Sequence, residues 1–151
     1  MKAEIRSGRE EDIDSLLLLI KELALYERAP EQVVNTSPRL LADWKAGWFN
    51  FLVAQFDGEI IGISLFYKRY STWTGACFYL EDLYVKPEHR GSGIGLALLK
   101  ETASIANIEG ASRLDWQVID WNTPAVDFYK KIGANIETEW WNCKLNLENF
   151  G

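Results

Sequence analysis

Arg90-Gly91-Ser92-Gly93-Ile94-Gly95 stands between a strand-like run, Phe78 to Val85, and an amphipathic run, Leu96 to Ile108. A strand, a glycine-rich turn and a helix start make a phosphate cradle. The glycines let the backbone bend with its N–H groups pointing inward, and the helix behind adds unpaired amides and the positive end of its dipole. An anionic cofactor is the expected occupant, set against the plainer reading of a tight strand-to-helix turn that binds nothing. Two common phosphate loops fail on spacing. Gly-x-x-x-x-Gly-Lys-Ser/Thr is absent, which argues against a nucleotide triphosphatase. Gly-x-Gly-x-x-Gly begins with Gly91 and Gly93 but meets Leu96 where its third glycine belongs. The pattern left is Arg-x-x-Gly-x-Gly.

The 151 residues, 48% of them hydrophobic, suffice for one well-buried core and are few for two, so a single domain over residues 1–151 is expected. No run of eighteen apolar residues and no signal-peptide pattern is present. A soluble, cytoplasmic protein without a membrane partner is expected. Cys77 and Cys143 have neither paired nor histidine-flanked spacing, and His89 is the sole histidine, so no metal site is expected. A net charge of −6 argues against a nucleic-acid groove and favours a cationic substrate, although ordinary solubility also explains it.

Lys2 to Arg6 reads as a first strand. Ile13, Leu16, Leu17, Ile20, Leu23 and Ala24 recur at helical spacing and predict a helix from about Arg9 to Glu27, with Ser7 and Glu10 in capping-box register. A second helix is predicted over Pro38 to Ala46, with Ser37 as its cap. Phe51 to Phe56 and Ile60 to Tyr67 flank Asp57-Gly58 and predict a hairpin. Ala76 to Val85 is the next strand, Gly93 to Ile108 the third helix, and Ser112 to Ile119 another strand. Thr123-Pro124 starts a helix with Ala125, Phe128, Tyr129 and Ile132 on its apolar face and Gly133 as terminator. Asn135 to Leu147 is predicted to close the chain as a strand. This order fits an α/β fold with a mixed central sheet flanked by helices on both faces.

Behind Tyr79-Leu80-Glu81-Asp82-Leu83-Tyr84-Val85, the Arg-x-x-Gly-x-Gly stretch resembles the pyrophosphate loop of the GCN5-related N-acetyltransferases (GNAT), which bind acetyl-coenzyme A. The resemblance spans almost the whole chain. It narrows to the diamine branch, which includes spermidine/spermine and thialysine acetyltransferases, on Lys21-Glu22-Leu23-Ala24 leading to Tyr26-Glu27, on Glu31-Gln32-Val33, on Asp120-Trp121-Asn122 and on Phe128-Tyr129-Lys130-Lys131-Ile132-Gly133-Ala134. It implies the GNAT acyl-CoA acyltransferase fold, whose sheet splays open after the fourth strand to admit the pantetheine arm.

The resemblance also implies site residues. Acetyl-CoA is the expected donor, with Leu83, Tyr84 and Val85 as pantetheine-pairing backbone and Arg90, Gly91, Ser92, Gly93, Ile94, Gly95 and Leu96 around the pyrophosphate. Asn122, Pro124, Tyr129 and Lys131 fall on further cofactor positions, although a helix-surface lysine is also often merely solvated. An alkylammonium is only about one part in 2,500 neutral at pH 7, so something must take its proton. Glu81 holds the family position for doing this through a water, against the alternative of an exposed carboxylate that only attracts the cation. Asp82 is expected on the opposite face by period-two alternation, unless a bulge intervenes. Tyr129 holds the position of the acid that protonates the departing thiolate, where helix periodicity alone offers core packing. A backbone N–H near Leu83 to Val85 is expected to meet the developing oxyanion.

Tyr26 and Glu27 match the branch's amine-binding positions, where an aromatic face beside a carboxylate holds an ammonium. Spermidine/spermine enzymes typically carry an aspartate before the proline-tryptophan of the third hairpin. Tyr70-Ser71-Thr72-Trp73 lacks that charge, which favours thialysine-type, lysine-like amines over polyamines. The expected activity is acetyl transfer from acetyl-CoA to a small diamine, polyamine or lysine-like amine by direct attack in a ternary complex. A protein-lysine acetyltransferase and a non-catalytic acyl-CoA sensor are the alternatives. A homodimer is the expected assembly, with Trp140-Trp141 available for a channel, a contact or edge packing.

Overall fold

The hydrophobic periods resolve into five strands and four α-helices in the computed structural model, which describes residues 2–151. In chain order these are β1 (Glu4–Ser7), α1 (Ile13–Tyr26), α2 (Ser37–Lys45), β2 (Asn50–Phe56), β3 (Glu59–Ser71), β4 (Gly75–Val85), α3 (Ile94–Ile108), β5 (Leu114–Asp115) and α4 (Thr123–Lys131). The chain forms two units, one ending at Gln117 and the other Val118–Gly151.

The first unit holds the sheet, in the order β1-β2-β3-β4-β5, with antiparallel neighbours as far as β4 and β5 parallel to it. Asp57 and Gly58 join β2 to β3 with φ of 52° and 78°, the two left-handed residues that a tight hairpin turn requires. Alternation sorts the strand residues by face. Phe51, Val53, Ile63 and Leu65 turn toward Ile13, Leu16 and Leu19 of α1 and Leu40 of α2 in one core. On the other face Ser64 shares a 2.6 Å hydrogen bond with Thr102 of α3, both side chains being fully buried. The Thr102 hydroxyl also reaches the Leu98 carbonyl at 2.8 Å. Helices therefore cover both faces of a mixed sheet, as the sequence pattern requires.

The helix starts differ in detail from their sequence signals. Ser7 ends β1 and caps nothing; Asp12 instead accepts the Arg9 N–H at 2.8 Å and the Arg6 guanidinium at 2.7 and 3.0 Å. A short 3₁₀ turn, Glu10–Asp12, precedes α1. The cap of α2 is Thr36, one residue before Ser37, with its hydroxyl accepting from Arg39 N–H at 3.3 Å.

Ser112 to Ile119 does not form a full strand. Only Phe78↔Leu114 and Tyr79↔Asp115 pair. Just beyond, the register of β3 against β4 shifts, with Phe66 opposite Leu80 and Leu65 opposite Asp82, so Glu81 is an extra, bulged residue. A bulge bends its strand and sharpens the twist, and the pairing of β4 with β5 stops at Tyr79, just before it. From Leu80 to Val85 that edge of β4 has no sheet partner among the described residues. The sheet opens there.

In the second unit the Asn122 side chain caps α4, accepting the Ala125 N–H at 3.4 Å, and Pro124 sits in the first turn. Gly133 follows with φ 91°. Asn135 to Leu147 forms no strand; Trp140 and Trp141 are exposed, and only a 3₁₀ turn, Leu147–Asn149, follows. High β propensity makes a strand only where another strand supplies the ladder.

Candidate functional site

The glycine loop begins where β4 ends. Lys86-Pro87 closes the strand, and a 3₁₀ turn, Pro87–His89, delivers the chain to Arg90. Gly91 and Gly93 take φ of 80° and 85°, and a Cβ on either would meet nothing within 4 Å. Left-handed backbone, rather than crowding, is what calls for glycine here. Gly93 is the N-cap of α3 and offers no side-chain acceptor, so no side chain of the cap occupies the first amides of that helix, and Arg90 to Gly93 are exposed. Ser92 braces the loop by donating its hydroxyl to the His89 carbonyl at 2.7 Å. Gly95 lies in the first turn of α3, where a Cβ would come no closer than 3.8 Å to Val85 Cγ2. These are the features a diphosphate needs, and with the unpaired edge from Leu80 to Val85 they fit an acyl-CoA: amides for the phosphates, a strand edge for the pantetheine amides. Leu83, Tyr84 and Val85 all lie on that edge strand.

Arg90 is tied to the end of β4. Its Nε donates to the Val85 carbonyl at 2.8 Å, while its guanidinium carbon lies 5.3 Å from the Tyr84 ring centroid and 5.5 Å from that of Tyr26. Tyr84 Oη in turn donates to Glu22 of α1 at 3.1 Å.

The bulge at Glu81 overturns the expected separation of the acidic pair. Residues opposite one another in a ladder share a face, so Asp82, opposite Leu65, lies on the face covered by α1. Glu81 accepts a hydrogen bond from Tyr67 Oη at 2.7 Å, and Tyr67 packs against that same core while its ring stacks on Tyr79 with centroids 5.5 Å apart. Both carboxylates therefore belong to one surface. Burial, and then the negative charges of Glu81 and Glu27, push Asp82 up to about 7. Burial also raises Glu27 above the ordinary carboxylate range. Desolvation first, and then the bond to Glu81, raise the Tyr67 phenol, so it stays a donor throughout the physiological range.

Tyr26 and Glu27 are aimed by the way α1 stops. Arg28 N–H bonds to the Leu25 carbonyl at 3.1 Å and Ala29 N–H to that of Ala24 at 2.9 Å, a Schellman closure with Arg28 in the left-handed position at φ 64°. A non-glycine residue there is strained by about 1–2 kcal/mol. The closure ends the helix at Tyr26, whose ring then faces the Arg90 guanidinium beyond the end of β4.

The remaining expected residues lie together on α4. Asn122 caps it, Pro124 is in its first turn, Tyr129 is buried with its ring 5.5 Å from Phe128, and Lys131 is exposed in the last turn. His89 packs edge-on against Phe56 at 5.8 Å. Among the described residues no cluster of histidine, cysteine or acidic side chains could hold a metal ion. The sequence reading missed Tyr67 as the partner of Glu81, and of the two placements it left for Asp82 the structure takes the one that a bulge produces. Both depend on strand register, for which the local sequence carries no signal.

The sequence matches the acetyltransferase (GNAT) family over residues 17–134. It is 42% identical to the Bos taurus thialysine N-epsilon-acetyltransferase, over 92% of this chain and 89% of that protein. Against the Sus scrofa thialysine N-epsilon-acetyltransferase the identity is 43%, over 89% and 85%. A solved structure from the V. cholerae mobile metagenome, the integron cassette protein VCH_CASS6, superposes with a TM-score of 0.76 at 26% identity, covering 99% of this chain and 96% of that one.

Proposed function

The chain belongs to the acetyltransferase (GNAT) family, and from that premise we propose that it acetylates the side-chain amine of a lysine-like amino acid of the thialysine type. Membership brings acetyl-CoA as donor, and the bound thioester supplies an activated acetyl group. What remains is what this chain does for the amine. The observation that carries the reading is the convergence of Glu27, Glu81 and Asp82 beside the opened edge of β4.

An incoming alkylammonium must shed a proton before its nitrogen can attack. Glu81 is the family's position for the water-mediated acceptor, and here it is backed by Asp82, whose carboxyl near 7 suits proton acceptance at neutral pH. Tyr67 holds the Glu81 carboxylate in place. Tyr26 and Glu27 supply an aromatic face and a charge for the rest of the cation. Tyr129 is the proposed proton donor to the leaving thiolate, since a phenolic O–H can donate to a sulfur anion. In this reading residues 1–151 act as one catalytic domain. Ser71 places no charge at the hairpin, and its hydroxyl instead accepts the Trp73 and Thr74 N–H groups at 3.3 and 3.2 Å, which favours the lysine-like amine over a polyamine.

The proposal extends to a homodimer without a nucleic-acid or membrane partner in the cytoplasm. Trp140, Trp141, Leu145, Leu147 and Phe150 are all exposed at the end of the chain, an apolar series suited to a second copy. No helix among the described residues is long and apolar enough to cross a membrane.

A thiol-release assay with thialysine, lysine, putrescine, spermidine and spermine tests the reading. Thialysine and lysine are expected to give the highest kcat/KM, and Tyr129→Phe to depress turnover sharply while coenzyme A still binds. Release only with polyamines overturns the substrate; release only with peptides points to a protein-lysine acetyltransferase. No release with any amine, despite coenzyme A binding, makes the protein a sensor.

A further inference from the structure

We infer that Arg90 is a positioning residue that couples the amine site to the acetyl-CoA loop. The inference rests on the acetyl-transfer reading above, in which Tyr26 serves the amine and Arg90 to Leu96 serve the cofactor.

Arg90 is the first residue of the glycine loop, and its neighbours Gly91 and Gly93 are free to curl because nothing packs where their side chains would be. A loop of that kind needs an anchor before it can present its amides in one geometry. Besides the Ser92 bond to the His89 carbonyl, the Arg90 side chain anchors it to the rest of the fold. The hydrogen bond from Nε to the Val85 carbonyl ties it to the end of β4, and the guanidinium carbon lies over both the Tyr84 ring and the Tyr26 ring, at 5.3 and 5.5 Å from their centroids. The two rings differ in exposure. Tyr84 is buried and fixed through its hydroxyl to Glu22 of α1, whereas Tyr26 is 40% exposed at the last turn of the same helix. The guanidinium therefore contacts one ring held in the core and one ring that an incoming amine also meets.

The consequence follows from preorganisation. When Tyr26 is held over Arg90, the loop has fewer conformations to lose on gripping a diphosphate, so its affinity for the cofactor rises. By linkage the reverse holds, and a filled loop keeps Arg90 in place and steadies Tyr26 for the amine. Binding of each substrate then favours the other without a large movement, which suits a reaction that needs both at once. A guanidinium can face two rings while its Nε holds the Val85 carbonyl, and an ammonium in its place keeps charge but loses both the planar face and the Nε donor.

Calorimetric titration of coenzyme A into the full chain, with no amine present, tests the coupling. An exposed cation–π contact shifts an equilibrium by about two- to fivefold. Tyr26→Leu is expected to weaken coenzyme A binding by that factor, Tyr26→Phe to retain it because the ring remains, and Arg90→Lys to weaken it similarly. In the double variant the two losses are not additive, since they remove one contact. At saturating acetyl-CoA, Arg90→Lys is expected to raise the amine KM while kcat holds. Unchanged coenzyme A affinity in Tyr26→Leu overturns the coupling, as do fully additive losses. Tighter binding in Tyr26→Leu also overturns it, since that sign means Arg90 leaves the rings to reach phosphate. Failure of the unaltered protein to bind coenzyme A overturns the acetyl-transfer reading itself, and this coupling with it.

Discussion

Replacing Asp82 by Asn tests whether the amine site stores unfavourable charge when empty. The Asp82 carboxyl is pushed from an ordinary 3.8 to about 7 by burial and by Glu81 and Glu27. That difference corresponds to about 4 kcal/mol between its two protonation states, an upper bound because Asp82 is only half-buried and keeps some contact with solvent. Below pH 3.8 the carboxyl is protonated both folded and unfolded, and the site costs nothing. As pH rises from 3.8 to 7 the unfolded chain gives up this proton while the folded chain retains it, so stability falls continuously; above 7 the full penalty persists. Asn carries no charge at any pH. Asp82→Asn is therefore expected to stabilise the fold, with a gain larger at about pH 8 than at about pH 5 by up to about 3 kcal/mol. Urea denaturation of both proteins at the two pH values measures this directly. A gain that is the same at both would refute the reasoning, because it would mean that Asp82 ionises in the folded protein as freely as in the unfolded chain. The same charge should serve function, and a bound lysine-like amine is expected to raise the melting temperature of the wild type more at about pH 8 than at about pH 6, a difference lost in Asp82→Asn.

Gly95→Ala separates fold from cofactor binding: its methyl has room beside Val85 and improves helix propensity by up to about 1 kcal/mol, yet it stands in the first turn of α3, where a bound diphosphate would meet it. The melting temperature should hold or rise while calorimetry shows coenzyme A affinity falling about tenfold or more, and unchanged affinity would remove Gly95 from the cradle. Asp12→Ala leaves the nearly buried Arg6 guanidinium without its two-pronged partner and is expected to destabilise by about 3–5 kcal/mol in urea. Because the Arg6 hydrogen bond holds the Asp12 carboxyl below its ordinary 3.8, this contribution is complete above that value and disappears as pH falls through the lower folded value, so the wild type should lose its advantage over Asp12→Ala in acid.

What the sequence discloses and what it hides divide along the distance over which each feature is decided. Asp57-Gly58 announces its hairpin because both demanding φ angles lie within two residues. Gly91 and Gly93 announce the loop for the same reason, and the helical period of Ile13, Leu16 and Ile20 finds its core because alternation on β2 and β3 supplies the matching face. Asp82 could not be placed by such means. Its face depends on one extra residue in β4 relative to β3, and nothing in Leu80-Glu81-Asp82 marks Glu81 as the residue left unpaired. Asn135 to Leu147 shows the converse failure, in which strand-forming composition finds no ladder among the described residues. The motif identifies the chemistry because its residues recur at fixed short intervals. The bulge that decides the face of Asp82 stands where the pairing of β4 with β5 ends, so one inserted residue accounts both for the end of that ladder and for the carboxylates on one face. An unbroken ladder would send Glu81 and Asp82 to opposite faces and let β4 run on along β5, losing the open edge and the acidic pair together. The opening and the acidic cluster are therefore a single structural feature, decided by the register of two strands rather than by any one residue within them.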